Sequence, residues 1–139
     1  MKILAVDYGD SRTGLAISDA SELLATPLKP QIEEKSMVKV AAKICEAAQA
    51  NRAQKIVVGL PRNMDGTEGP RAALCREFAD TLAQATGLPV ELWDERRTTV
   101  EAHNILSQHN YHGKKRKNTV DAVAASLILE GYLAFRKNH

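Results

Sequence analysis

The sequence predicts an α/β protein in which helices flank a mixed β-sheet. Three short segments rich in apolar residues, Ile3–Val6, Ile56–Val58 and Val90–Trp93, are typical of strands. A further strand over residues 13–18 follows the first one closely, so these two should pair antiparallel. Two prolines within residues 25–32 limit that segment to an edge strand. Helical segments separate the later strands, and this order predicts a mixed sheet.

Helical periodicity fills the intervals between the later strands. Ser36 can cap a first helix that runs to about Arg52, and Pro70 suits the first turn of a second helix that ends at Gly87. The apolar residues expected on their buried faces are Val40, Ala41, Ile44, Cys45 and Ala48 on the first helix, and Leu74, Phe78 and Leu82 on the second.

The last part of the chain predicts two more helices. Thr98 or Thr99 can cap the start of one, and Asn118 or Thr119 the start of the other. Residues 109–117, between these helices, are polar and basic and contain a glycine, so they predict a mobile loop.

The bulk composition fits one domain that spans residues 1–139. The net charge is only +2, so a nucleic-acid-binding surface must come from local clusters of cations. Cys45 and Cys75 lack metal-ligand spacing and are expected to be reduced thiols, and the histidines show no zinc spacing. No segment approaches the roughly 20 apolar residues of a membrane span, so we expect a cytoplasmic protein without a membrane partner.

Carboxylates stand at the ends of the predicted strands. Asp7 ends the first strand, and Asp94 and Glu95 follow the last one. Helical crossovers make the strands that carry them parallel, so their carboxyl ends share one edge of the sheet, where α/β sites form. With one strand between them, the backbones of Asp7 and Glu95 should lie about 10 Å apart, and Gly59 at the end of that strand adds no bulk.

Asp121 is a third acid, on the last predicted helix. It shares a helical stripe with Ala125, Ile128 and Tyr132, which places a carboxylate on an otherwise core-facing stripe. A carboxylate in such a place costs free energy unless it is paired or binds a metal ion. Capping is the alternative, because an acid three residues after a cap at Asn118 is favoured by the helix dipole.

Each of the other acids also has a structural interpretation. Asp7 can accept hydrogen bonds from turn amides, and Asp94 and Glu95 can pair with Arg96 and Arg97. The convergence of these acids on one edge instead favours a divalent metal ion, because Mg²⁺ and Mn²⁺ take oxygen ligands and are held by a few carboxylates plus substrate phosphate.

We therefore predict that Asp7, Glu95 and Asp121 bind Mg²⁺ or Mn²⁺ and are the catalytic residues of a metal-dependent nuclease. Asp7 is expected to bridge two metal ions, while Glu95 and Asp121 each bind one of them. Asp94 is interpreted either as a further ligand or as an acid that orients a basic side chain.

Cations cluster in segments beside the same edge. A run of four precedes the helix that carries Asp121 and is interpreted as a phosphate-binding loop or as a solvated charge run. The predicted nucleic-acid-binding residues are Arg12, Arg62, Arg96, Arg97, Lys114, Lys115, Arg116 and Lys117. Aromatic residues make up only 4% of the chain, which favours recognition of backbone and shape over stacking on bases.

Four segments together resemble the YqgF (RuvX) family. They are Asp7–Gly14, Gly59–Glu68, Asp94–Thr99 and Val120–Leu129, and they occur in the family's order over essentially the whole chain. The resemblance implies a ribonuclease H-like fold with a five-stranded mixed sheet in the order 3-2-1-4-5, flanked by helices. Resolvases of this fold carry an acid near the end of the fourth strand, where this chain has Gly59, so Glu95 is expected to substitute for it.

The resemblance implies a nuclease that processes the 5′ end of pre-16S rRNA in ribosome biogenesis, with structured RNA as its partner. A Holliday junction resolvase that acts on branched DNA is one alternative, and a non-catalytic RNA-binding factor for ribosome assembly is another. The turn over residues 9–14 also resembles the phosphate-binding hairpin of actin–hexokinase ATPases, but those proteins close two such domains around nucleotide. The sequence leaves a homodimer open.

Overall fold

The computed structural model describes the backbone of residues 1–97 and 113–138, and the side chains of residues 1–97 and 123–138. The strands are β1 (Ile3–Asp7), β2 (Arg12–Ser18), β3 (Ala25–Glu33), β4 (Lys55–Leu60) and β5 (Val90–Asp94). The helices are α1 (Met37–Ala50), α2 (Pro70–Thr86) and α3 (Gly113–Asn138), and a 3-10 turn covers Glu95–Arg97. The helix predicted to begin at Thr98 or Thr99 lies outside the described residues.

The sheet has the order β3-β2-β1-β4-β5, which confirms the predicted topology. β1 pairs antiparallel with β2 and parallel with β4, and β4 pairs parallel with β5. β3 pairs antiparallel with β2 at one end of the sheet, as predicted. Pro27 and Pro30 therefore interrupt no central ladder of hydrogen bonds.

The residues of β1 alternate between two cores, one on each face of the sheet. Leu4 and Val6 pack on the face covered by α1 and α2, whereas Ile3 and Ala5 pack on the face covered by α3. Burial on both faces explains why the segment is apolar at every position.

The first two helices end largely where the sequence predicts. Ser36 accepts a hydrogen bond from the backbone N–H of Lys39 at the start of α1, and Gly87 ends α2 with a positive φ of 71°. Both cysteines are free thiols; Cys75 is buried, and Cys45 is half-buried rather than fully on the core stripe.

The predicted stripe of α2 is wrong at Leu74, which is 39% exposed. The buried residues of α2 are Ala72, Cys75, Phe78, Ala79 and Leu82. Steps of four residues drift around a helix that has 3.6 residues per turn, whereas alternating steps of three and four stay on the core side. Phe78 and Leu82 follow that alternation, and Leu74 does not.

The start of α3 also differs from the prediction. The helix begins at Gly113, so residues 113–117 are helical rather than part of a loop. The loop prediction followed from the polar, basic and glycine-containing composition of residues 109–117 and from a cap expected at Asn118 or Thr119. Lysine and arginine are nevertheless good helix formers, and the buried residues later in α3 anchor the helix that they extend.

In the part of the chain that the structure describes, no helix combines the length and the apolar character that crossing a bilayer requires.

An ion-pair cluster at Glu22 joins the N-terminal segment to α3. The Glu22 carboxylate accepts a hydrogen bond from Arg136 Nε at 2.7 Å and lies 2.9 Å from the Met1 ammonium. These hydrogen bonds, that from Arg136 first, lower the pKa of Glu22 from 4.5 to about 2.

Replacing Glu22 tests this cluster. A depressed carboxyl pKa contributes stability above its unfolded value, and this contribution is lost as the pH falls from about 4.5 towards about 2. We expect Glu22→Gln to lower the free energy of unfolding by about 1 kcal/mol at pH 7, since solvent screens this partly exposed cluster. In urea titrations the difference from wild type should shrink with acidification. Glu46→Gln, at an exposed position of α1, is the charge-matched control, and an equal loss in both variants would contradict the cluster's role.

Candidate active site

Two of the three predicted metal ligands meet at the carboxyl edge of the sheet. Asp7 is the last residue of β1 and Glu95 directly follows β5, with β4 between these two strands. The register aligns Val6 with Val58, so Asp7 and Gly59 are the next residues of neighbouring strands. Because alternate residues of a strand share a face, Asp7 and Gly59 lie on the face that α3 covers.

Gly59 leaves the space that the Glu95 carboxylate occupies. A β-carbon at position 59 would lie well inside contact distance of Glu95 Oε1, 3.0 Å from Glu95 Cδ and 2.7 Å from Ile128 Cδ1. The Glu95 side chain therefore reaches across the end of β4 towards Asp7. This geometry confirms that Gly59 adds no bulk between the two acids.

The two carboxyl groups share a hydrogen bond, and burial raises the pKa of Glu95. The Arg71 guanidinium and the hydrogen bond with Asp7 oppose this rise in pKa, and the negative charge of Asp94 adds to it. A hydrogen bond between two carboxyl groups requires a proton on one of them. The pair can thus be neutralised by a proton or by a cation that both oxygens bind.

Position 121 lies well inside α3, which begins at Gly113. The interpretation of Asp121 as a capping residue is therefore wrong, because no helix starts at Asn118. Ala125, Ile128 and Tyr132, which share its stripe, are buried, as predicted. The Asp121 side chain itself is outside the described set. Within that set, no group of three or more acids, histidines or cysteines is placed to hold a metal ion.

Asp94 orients basic side chains, as one interpretation of the sequence proposed. It accepts hydrogen bonds from Arg96 Nε at 3.0 Å and Arg96 Nη2 at 2.7 Å, and Arg62 Nη1 lies 3.9 Å away. These contacts, that with Arg96 first, hold the pKa of Asp94 below its usual value against the effect of burial. Glu95, in contrast, faces Asp7 rather than Arg97.

The predicted phosphate-binding arginines occupy different positions. Arg12 begins β2, opposite Glu33 of β3. Arg62 follows β4 and lies 3.3 Å from Glu68, whereas the Arg97 guanidinium stacks 4.8 Å above the Trp93 ring. Residues 114–117 belong to the first turns of α3, and their side chains are outside the described set.

Arg71 is a residue near the site that the sequence analysis did not identify. Its guanidinium donates to the Tyr8 carbonyl oxygen, lies 2.6 Å from Asp10 Oδ1 and stacks 5.3 Å from the Tyr8 ring. It thereby joins the start of α2 to the turn after Asp7. A cation in the first turn of a helix opposes the helix dipole, and this mismatch is the sequence signal that marks Arg71.

The space at position 59 gives a direct test of this arrangement. We expect Gly59→Ala to lower the free energy of unfolding by about 1–3 kcal/mol, because the new methyl group must displace Glu95 or Ile128. Gly69→Ala is the matched control, since a β-carbon there meets nothing within 4 Å, and it should cost less than about 1 kcal/mol as a cap change. If urea titrations show the same decrease in the free energy of unfolding for both variants, the end of β4 is not crowded.

Solved structures with a similar fold include two of Thermus thermophilus RuvC. The chain matches Thermus thermophilus RuvC in complex with a Holliday junction substrate, with a TM-score of 0.63 and 13% identity over 98% of this chain and 96% of that chain. A second T. thermophilus RuvC structure gives a TM-score of 0.58 with 15% identity, over 98% and 97% of the two chains. The fold is therefore the predicted ribonuclease H-like fold.

Comparison of sequences identifies the family. A protein of Halothermothrix orenii is 41% identical over 98% of this chain and 96% of its own length, and one of Carboxydothermus hydrogenoformans is 40% identical over 100% of both. Both carry the name "Putative pre-16S rRNA nuclease". The sequence model of the RuvX family, described as "Holliday junction resolvase", matches residues 1–135. The chain thus belongs to the RuvX family.

Proposed function

We propose that this RuvX family member is a cytoplasmic, divalent-metal-dependent nuclease, one domain over residues 1–139, that processes the 5′ end of pre-16S rRNA. The observation that carries the proposal is the contact of Asp7 with Glu95 across Gly59. Two acids from separate strands that share a hydrogen bond are poorly explained by packing and well explained by a shared cation. The name of the related proteins supports the choice of RNA substrate.

The residues present fit Mg²⁺ or Mn²⁺. Asp7 and Glu95 supply hard oxygen donors within contact of each other, and Asp121 is the third candidate ligand, on the stripe of α3 that also carries Ile128. When bound, the ion supplies positive charge that activates water and stabilises the leaving oxygen of a phosphodiester.

The protein's own groups prepare the site for such a cation. Burial raises the pKa of Glu95, so a cation that binds the ionised pair displaces a proton from it. Arg71 ties down the turn that follows Asp7 through the Tyr8 carbonyl oxygen and Asp10. Asp94 holds Arg96 in place beside the same edge. These contacts fix the backbone on both sides of the carboxyl pair, which is what positioning a scissile phosphate requires.

Removing one carboxylate at a time tests the site. We expect Asp7→Asn, Glu95→Gln and Asp121→Asn each to reduce Mg²⁺-dependent cleavage of a pre-16S rRNA fragment by at least about 100-fold, with the fold retained by circular dichroism. Asp80→Asn, at an exposed position of α2, should leave cleavage unchanged. Full activity of all three site variants, or of the wild type in excess chelator, would refute the assignment.

Branched DNA is the second candidate substrate, because the family model carries the description of a Holliday junction resolvase. Parallel cleavage assays on a four-way DNA junction and on a pre-16S rRNA fragment separate the two. Binding of RNA that survives the acid substitutions, without cleavage in Mg²⁺ or Mn²⁺, would instead identify a non-catalytic assembly factor.

The basic start of α3 is proposed to contact phosphates. We expect the double variant Lys114→Glu and Lys115→Glu to bind RNA more weakly. The slope of log affinity against log salt should become shallower by about 0.7 for each phosphate that the variant no longer binds, because fewer counterions are released. The double variant Lys39→Glu and Lys43→Glu, at exposed positions of α1, matches this charge change. An unchanged slope for the first variant would exclude phosphate contacts at the start of α3.

A further inference from the structure

A trough of about 320 Å³ borders β5, the strand at one end of the sheet. It starts beside Leu60 and Asp94, at the edge that carries the candidate active site, and extends to Tyr132 and Phe135 of α3. The trough therefore begins beside Asp94, the residue that precedes Glu95 in the chain.

Aromatic rings gather at this trough. The chain has one tryptophan, three tyrosines and two phenylalanines, and one of each lies here. The Trp93 ring meets Tyr132 and Phe135 edge-on, with ring centroids 5.7 Å and 5.6 Å apart. Trp93 is only 6% exposed, whereas Phe135 is 37% exposed. Trp93 therefore forms the floor of the trough, whereas Phe135 is partly exposed beside the Arg97 guanidinium.

Three arginines line the same trough, namely Arg62, Arg76 and Arg97. The Arg97 guanidinium stacks on the rings of Trp93 and Phe135, at 4.8 Å and 5.4 Å from their centroids. Ion pairs involve both signs of charge in the lining. Asp94 pairs with Arg96 and Glu91 with Lys55, while Arg62 and Arg76 both pair with Glu68. The lining thus combines aromatic surface with cations, the composition that grips single-stranded nucleic acid.

Two buried donors of the lining lack a hydrogen-bond partner in the described structure. They are the indole Nε1 of Trp93 and Nε of Arg62. Buried N–H groups are nearly always hydrogen-bonded in folded proteins, so each unsatisfied one calls for an explanation. Both atoms are sealed from solvent, so an acceptor on a ligand reaches them only when the neighbouring side chains move.

We propose that the trough along β5 binds a single-stranded segment of the nucleic acid substrate, with a base against Phe135 and phosphates against Arg62, Arg76 and Arg97. The proposal rests on the proposed nuclease function, since the segment continues from the strand held at Asp7 and Glu95. It also revises the expectation that the low aromatic content disfavours stacking, because folding brings one residue of each aromatic type to the same place. The contact is independent of sequence, as every base has a ring face.

Trp93 is the chain's one tryptophan, so its fluorescence reports directly on the trough. The full-length protein is titrated in chelator, which blocks the proposed metal-dependent cleavage, with an end-labelled single-stranded oligoribonucleotide of about ten nucleotides. We expect a saturable change in Trp93 emission that follows the rise in anisotropy of the label. Phe135→Leu, which keeps apolar bulk without a ring, and Arg76→Gln should each weaken binding by about 10-fold. Arg52→Gln, at an exposed position after α1, should not.

The outcomes separate this proposal from the nuclease assignment. Two results together would overturn the proposal that the trough binds nucleic acid. The anisotropy would show binding without a change in Trp93 emission, and the affinities of Phe135→Leu, Arg76→Gln and Arg52→Gln would be equal. Cleavage by the wild type in Mg²⁺ would in that case leave the nuclease function intact. An emission change that is abolished in Phe135→Leu supports the trough, even where no metal ion elicits cleavage.

Discussion

The approach of two carboxyl groups across a residue without a side chain is the constraint on which the rest of this structure depends. Asp7 and Glu95 belong to strands that are not neighbours, and only the absence of a β-carbon at position 59 lets them meet. Like charges at hydrogen-bonding distance repel unless a proton or a cation lies between them. The fold thus holds a pair of groups in a state that binding of a positive ligand relieves.

Other acids at this edge form hydrogen bonds with arginines rather than with another acid. Asp94 is held by Arg96, Asp10 by Arg71 and Glu68 by Arg76, each through hydrogen bonds to a guanidinium. Such pairs neutralise charge and fix loops, and they contribute little free energy where solvent reaches them. The contrast distinguishes acids that build the rim of the site from the two that face each other. Asp94 and Glu95 fall on the two sides of this contrast although they are adjacent in sequence, since Asp94 contacts Arg96 and Glu95 contacts Asp7.

Local patterns were sufficient to predict most strands and helices, whereas the sheet order 3-2-1-4-5 was implied by the resemblance to the YqgF (RuvX) family. Continuous apolar runs identified β1 and β4, and caps at Ser36 and Gly87 identified the limits of helices, because each signal depends on a few neighbouring residues. The predicted start of α3 was wrong because helix propensity competes there with an unfavourable dipole, and tertiary contacts further along the helix decide the balance.

The candidate site was predictable only where its residues form a local pattern in the sequence. Acids at strand ends are visible in the sequence, whereas the contacts of Arg71 depend on how α2 meets the turn after β1. The meeting of Trp93 with Phe135 joins residues far apart in the chain and follows only from the packing of α3 on β5. Glu95 was the predicted ligand, and the structure shows that its side chain reaches across the end of β4. The two interpretations of Asp94 could be separated only by its contacts with Arg96.

The spacing between positions 121 and 128 of α3 determines which side of the helix each residue occupies. Ile128 packs beside Gly59, and position 121 lies two turns earlier on the same stripe, about 10 Å along the helix axis. One residue inserted between them would turn position 121 by about 100° around that axis and off the stripe. The proposed role of Asp121 therefore depends on the number of residues between these positions as well as on the identity of the acid.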